Sequence, residues 1–462
     1  MTDAVHDVAI IGGGVVGCAV FRELALNGVG CIMLERSADI LDGASKGNSA
    51  ILHTAFDAPP GSLEHRLMQA GRRRYLADRA GLGLPLLETD AVLVAWTSEE
   101  AAKLPAILAK AHRNGVTDAA ALTLNALYDK MTGLSRTAIA ALHIPGEHII
   151  DPWSAPLGYV LQGVALGGVV RRQFEVTAAR RDGEIWHLSD GTATICAHTV
   201  INCAGNYGDL VEALARPSPF TIRPRKGQFV VFDKTAARHV PTIVLPVPTE
   251  RTKGIVICPT VFGNVLVGPT AEDQTDRADA SVDRATLQSL IAQASRMVPA
   301  LGTEPVTATY AGLRPASNAP DYIIEAQKSD HWITVAGIRS TGLTAALGIA
   351  EHVRDLVGDH FHRLAPVANP PWPLLPNLAE HLPRDHQRPG RGDLICLCEL
   401  VTKDEIDAAL SGPLPAGNLG GLKRRTRAMM GRCQGFNCLA AVCALAEGRL
   451  LDPPPIEQRH AG

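Results

Sequence analysis

Residues Asp7–Arg36, DVAIIGGGVVGCAVFRELALNGVGCIMLER, constrain this chain more than any other stretch. A short apolar run, Val8–Ile11, meets the pattern Gly12-x-Gly14-x-x-Gly17. A helical pattern opening at Val15 and Val16 follows, then a second apolar run that ends at Glu35 and Arg36. The spacing predicts strand, glycine turn, helix and strand, with an acid 18 residues beyond the last glycine. Glycines let the backbone turn tightly and approach a pyrophosphate, which sits on the positive N-terminus of the helix. Glu35 is placed to accept hydrogen bonds from a ribose, and its charge disfavours a 2′-phosphate. The glycine pattern alone is weak; with its strands and acid it points to a bound dinucleotide.

At 462 residues the chain exceeds one compact core, so two or more domains are expected. Its net charge of −3 gives no electrostatic case for nucleic acid or an anionic membrane. The N-terminal apolar run has no basic region before it and breaks into glycines, unlike a signal peptide. The longest uncharged stretch, Pro152–Val170, holds two prolines and four glycines, which argues against a membrane helix. A cytoplasmic protein is expected, and ten cysteines there suggest redox or metal chemistry rather than a disulfide frame.

Further along, Ser45–Asn48 (Ser45, Lys46 and Asn48 among them) suit a polar turn, and Ser49–His53 reads as a short helix or an extended run. Ser62–Arg79 reads as a helix with a solvated basic face. Leu86–Trp96 resembles a strand, and Thr97 or Ser98 before Glu99 and Glu100 starts a helix to about His112. Tyr159–Val170 reads as a helix leading to a strand ending at Val176; a later strand ends in Asn202-Cys203-Ala204-Gly205 and brings bare backbone near the cofactor. Residues 221–310 alternate strand-like runs with one helix, Asp283–Met297. Then come AGLRPAS (with Gly312 and Arg314), a strand Trp332–Ala336, and the turn Gly337-Ile338-Arg339-Ser340-Thr341-Gly342-Leu343-Thr344 before a helix to about Val357. That helix offers a second dipole end to the cofactor. Ala365–Arg391 carries seven prolines in 27 residues and reads as a semi-rigid linker.

With these segments in order, the first ~365 residues resemble the glycine/D-amino-acid oxidase-like flavoproteins, within them the glycerol-3-phosphate dehydrogenase/oxidase and L-2-hydroxyglutarate oxidase branch. The resemblance implies an α/β fold: a discontinuous Rossmann-like FAD-binding domain (about 1–80, 150–215 and 305–365) and an α+β substrate domain with an antiparallel sheet (about 81–149 and 216–304). It implies FAD, held covalently or not, along the glycine turn, Ser45–Ser49, Val176, Ala204–Gly205, Gly312 and the 337–344 turn. His53 matches the active-site histidine, Arg314 the arginine gripping the substrate's anionic or hydroxyl end, and Ser340 a substrate-contacting position. Lys253 is similar to a phosphate-contacting lysine but equally reads as a solvated loop residue; Arg225–Lys226 is an alternative anion site or surface charge.

Downstream, Cys396-x-Cys398, 34 residues, then Cys433-x4-Cys438 gives four soft thiolates in two close pairs, suited to an iron–sulfur cluster or zinc. Zinc more often uses CxxC pairs, which favours the cluster. The text LICLCELVTKDEI…RRTRAMMGRCQGFNC resembles the bacterioferritin-associated-ferredoxin-like 2Fe–2S domain, implying a small α-helical C-terminal iron–sulfur domain over 392–447 and a tail over 448–462. Lys423–Arg432 reads as a solvated basic helix face.

The expectation is an FAD-dependent dehydrogenase with its own 2Fe–2S relay, oxidising an anionic secondary alcohol. In it His53 takes the hydroxyl proton while hydride passes to flavin N5. sn-Glycerol 3-phosphate is favoured as substrate; an L-2-hydroxy acid and then an amine or amino acid are rivals, and a non-catalytic electron-transfer subunit is a reading of another class. A quinone-linked or protein electron acceptor, an oligomer or hetero-complex, and attachment to the inner membrane only through a partner complete it. No CxxC follows the second strand, which disfavours a disulfide reductase.

Overall fold

The computed structural model describes residues 5–248 and 254–454. Strand Val5–Ile11 lies between Cys31–Glu35 and Thr194–Asn202 in parallel register, as a strand–helix–strand crossover requires. Val169–Arg172 extends this sheet parallel to Cys31–Glu35, and Trp332–Ala336 joins Thr194–Asn202, also parallel. Helices Val15–Leu26, Ser154–Ala165 and Gly342–His360 share one core with the sheet, in which Phe21, Met33, Tyr159 and Val353 are buried.

A second sheet, nine-stranded among the described residues, is mostly antiparallel. Its spine is Ile222–Phe232 against Val306–Ser317, paired so that Arg225 lies opposite Arg314 and Gly227 opposite Gly312. Leu86–Trp96 is not one strand. It splits into Leu86–Glu88 and Ala91–Ala95, which belong to different sheets, at Asp90 with φ 55. The helix before Val169 runs Ser154–Ala165, earlier than its glycines suggested, because the Asp151 carboxylate caps it by accepting from the Trp153 and Ser154 amides. Helix Ser98–Arg113 starts where expected, with the full capping box of Thr97 and Glu100. Among the described residues no helix is long and apolar enough to cross a membrane.

Two expectations of solvated charge are met only in part, and the expectation of a linker is corrected. On helix Leu63–Asp78, Arg74 pairs with Asp78 and Glu351, while Arg72 donates to the Gly146 carbonyl. The proline-rich segment is a strap rather than a spacer. Its Ala365 and Val367 amides bond the Asn27 and Leu26 carbonyls, Leu375 bonds Leu82, and Glu380 bonds Val261. Leu378 and Ala379 are buried in the core of the second sheet, and the Arg22 guanidinium lies 5.5 Å from the Trp372 ring. Prolines remove donors the chain would otherwise leave unpaired, so such a segment can lie along a surface using few bonds.

The C-terminal portion has helices Lys403–Ser411, Leu419–Thr426 and Leu439–Ala446 beside a two-stranded ribbon, Leu394–Cys396 with Val401–Thr402. Its basic stretch is the third of these. Arg425 is buried against Asp39, Arg427 against Glu399, and Arg424 donates to the Ile40 carbonyl. Their partners come from the ribbon and from the loop after the second strand, so a charge run that looks solvated is an interface.

Candidate active site

The glycine turn behaves as its spacing demands. Gly12 has φ 109, and a side chain there would strike the Cys203 carbonyl; one on Gly17 would strike the Gly12 carbonyl. Gly17 therefore seats the helix against the turn and is not in the lining of the groove. Two adjoining cavities run from this turn. One, of about 450 Å³, is walled by Gly12, Glu35, Arg36, Lys46, Val176 and Ala204. The other, of about 160 Å³, contains Val15, Val16, Asn48, Ser49, His53, Arg314, Gly337, Ile338, Arg339, Ser340, Gly342, Leu343 and Thr344. Gly14, Ser45, Gly205 and Gly312 border both, which makes one continuous groove.

At its first end Glu35 accepts from the Gly13 amide (2.7 Å) and the Ser37 amide (2.8 Å). Burial holds its carboxyl above the ordinary range. Arg36 stacks on the Tyr207 ring at 3.8 Å, and Lys46 pairs with Asp42 (3.2 Å). In the middle, the Ser45 hydroxyl accepts from the Val15 amide (2.9 Å), at the positive end of the helix where an anionic oxygen is favoured. The Asn48 carbonyl is held by the Tyr310 hydroxyl (2.7 Å). Thr341, counted in sequence among the cofactor contacts, lines neither cavity; it is buried, donating to Glu64 (2.8 Å) beneath the turn.

His53 sits at the far end. The segment Ser49–His53 is extended, with Ile51–Leu52 pairing antiparallel to His148–Ile150. Leu52 lies opposite His148, so the next rung brings His53 to Glu147. His53 Nδ1 is 2.7 Å from Glu147 Oε2, and the Thr54 amide (2.6 Å) and hydroxyl (2.7 Å) donate to Oε1. Glu147 has no exposed surface. Burial alone would raise its carboxyl, but the charge of and bond from His53 and the Thr54 donors outweigh this and hold it below the usual range. The His53 amide donates to the Thr344 hydroxyl (3.0 Å), tying this segment to the second glycine-rich turn.

Arg314 faces the same cavity from the strand pair. Its Nη2 donates to the Thr270 carbonyl (2.6 Å), and burial followed by the neighbouring Arg225 charge pushes the guanidinium down to about 10. Arg225 and Lys226 are committed elsewhere: Arg225 to Asp273 (2.6 Å) and Lys226 to Asp279 (3.6 Å). Lys253 lies outside the described residues. Phe229 and Pro269 in the cavity wall, and Glu147 buried behind His53, are the residues that the sequence reading missed. Glu147 is 94 positions from His53, with no local pattern to mark it.

A family model for FAD-dependent oxidoreductases matches residues 7–356. The chain belongs to that family. It is an FAD-dependent oxidoreductase of the glycerol-3-phosphate dehydrogenase/oxidase type. It is 30% identical over 467 residues to a glycerol 3-phosphate dehydrogenase of Caloramator mitchellensis, covering 99% of this chain and 97% of that one. A glycerol 3-phosphate oxidase of Mycoplasma pneumoniae is 29% identical over 74% of this chain and 92% of its own. The solved, FAD-bound structure of the L-alpha-glycerophosphate oxidase of that organism superposes with a TM-score of 0.75 at 27% identity, covering 81% of this oxidoreductase and all of its own chain.

Among the described residues no two cysteines are joined by a disulfide. Cys398 and Cys433 hydrogen-bond to each other, and so do Cys438 and Cys396. Burial and then the Cys396 thiol push Cys438 up to about 11. Among the described residues, no three or more His, Cys, Asp or Glu side chains form a group that could hold a metal ion.

Proposed function

We propose that this oxidoreductase converts sn-glycerol 3-phosphate to dihydroxyacetone phosphate. The observation that carries this reading is the convergence of His53 and Arg314 on one cavity continuous with the dinucleotide groove. The full-length likeness to a glycerol 3-phosphate dehydrogenase supports the choice of substrate. Bound FAD supplies the acceptor for a hydride leaving the substrate carbon. His53 takes the hydroxyl proton at Nε2, Arg314 pairs with the anionic end, and Ser340 contacts substrate from the rim, with Lys253 as a further phosphate ligand. Gly12, Gly14, Glu35, Ser45, Asn48, Gly205, Gly312 and residues 337–340 and 342–344 hold the cofactor. On this reading the FAD-binding segments are about 1–80, 150–215 and 305–365, the substrate domain about 81–149 and 216–304, and the C-terminal cysteine module 392–447.

The module is assigned a 2Fe–2S cluster, which supplies one-electron storage when bound. A two-iron cluster takes two thiolates per iron, whereas zinc takes its ligands at one point. Two hydrogen-bonded thiol pairs, Cys396 with Cys438 and Cys398 with Cys433, fit the former better. Onward transfer is to a quinone-linked or protein partner, in the cytoplasm or against the inner membrane.

An anaerobic panel of phosphates, hydroxy acids and amino acids, followed by loss of flavin absorbance, tests the substrate. Bleaching by glycerol 3-phosphate in preference to 2-hydroxyglutarate is expected. A flavin that no substrate bleaches would leave an electron-transfer subunit. Iron and acid-labile sulfide assays test the cluster, and one zinc per chain without sulfide would remove it.

A further inference from the structure

The two oxygens of Glu147 have separate duties. Oε1 takes both Thr54 donors, which leaves Oε2 to His53 alone. This carboxylate is buried on the far side of the imidazole from the cavity, where it cannot touch substrate. The other titratable or charged groups at this corner are Arg72, from helix Leu63–Asp78, His148 on the adjoining strand, and Glu88, paired opposite His148. Asp90 also reaches the turn, accepting from the Gly146 amide.

We propose that Glu147 is the positioning residue for proton removal: it holds His53 in the Nδ1–H tautomer, with the Nε2 lone pair toward the cavity, and pairs the imidazolium that forms. A neutral imidazole can be a base at only one nitrogen, and the bond at the other decides which. In the step itself the substrate O–H bond breaks and its proton goes to Nε2. The C–H bond breaks with its electron pair passing to FAD, and the carbonyl forms; the alcohol is oxidised and FAD reduced. The imidazolium appears against a carboxylate with no exposed surface, which counts for more than one in solvent. This inference rests on the alcohol-oxidation reading above.

The test uses the FAD-loaded full chain. In E147Q, FAD content and the apparent Kd for glycerol 3-phosphate should be unchanged. The limiting rate of anaerobic flavin reduction should fall about 10- to 100-fold, part of the roughly 10²–10⁴-fold that a general base contributes. On the acid side, the pH at which that rate halves should move down, because the imidazolium has lost its counter-charge. Thr54→Val leaves the His53 bond intact and should stay close to wild type. An E147Q enzyme with wild-type rate and profile would overturn the proposal. So would a T54V enzyme as slow as E147Q with no movement of the profile, which would make Glu147 only an anchor for the Thr54 loop. Nitrogen NMR of the His53 ring in wild type needs neither substrate nor variant: Nδ1–H is expected, and an Nε2–H form would sink the idea. Should glycerol 3-phosphate leave the wild-type flavin oxidised, the substrate reading fails, and the tautomer spectrum alone decides the role of Glu147.

Discussion

Asp39 and Arg425 stand 386 positions apart and meet in a buried, two-pronged ion pair, with N–O distances of 2.6 and 2.8 Å. Asp39 also accepts from the Gly417 amide (3.0 Å), while Arg172 is 3.9 Å away. Three residues on, Asp42 begins the wall of the dinucleotide groove. The cysteine portion and the cofactor site therefore share a structural member. Removing one partner of a buried pair leaves an uncompensated charge, at a cost of about 3–5 kcal/mol. Arg425→Met should lower the urea midpoint accordingly and release FAD at lower urea than wild type. Adding Asp39→Asn should recover part of the loss; FAD release unaltered in Arg425→Met would show the two regions to be independent.

His53→Gln should keep FAD but lose about 10²–10⁴-fold in the rate of flavin reduction, the usual share of a general base. Stopped-flow absorbance reads this directly, and near-normal reduction would remove His53 from the mechanism.

The strap is tested at Leu378, which is 1% exposed. Leu378→Ala should destabilise by about 2–5 kcal/mol through lost burial and the cavity left behind. A spacer in water would tolerate the change. Equilibrium unfolding with an unchanged m-value discriminates the two.

The charge on Glu147 gives a pH dependence of stability. Its carboxyl is lower in the folded protein than its ordinary value of 4.5, so its contribution is present above that value and is lost as pH falls through the folded one. The Tm gap between wild type and E147Q should hold at neutral pH and shrink progressively below about 4.5. A gap that widened on acidification would have the wrong sign.

Cys398→Ser should lose iron and sulfide, because a serine oxygen matches iron less well than a thiolate. Substrate should still reduce flavin in a single anaerobic turnover, while turnover with the native acceptor collapses. An undiminished steady state would leave the cluster without a part in onward transfer.

Local chemistry was legible in the sequence. The glycine turn, the capping box at Thr97 and strand Trp332–Ala336 each depend on neighbours within a few residues, so their patterns could be read directly. Glu147 was not legible because its place beside His53 follows from strand register, which only the paired strands define. The burial of Arg425 depends on Asp39, and no window of sequence contains both. The proline count spoke to backbone stiffness and not to where the segment would lie. What the composition of 365–391 could not convey is that Leu378 and Ala379 have a core to enter.

The strap also imposes a timetable on biosynthesis. Translation proceeds at about 5–20 residues per second, so residues 366–462 follow the oxidoreductase portion over about 5 to 19 s. Only at its start are Trp372, over Arg22, and the donors to the Leu26 and Leu82 carbonyls still to be made. FAD arriving early meets a groove whose Asp39–Asp42 wall has not been clamped by Arg424 and Arg425. The groove therefore acquires its clamped wall only once the C-terminal portion has been made.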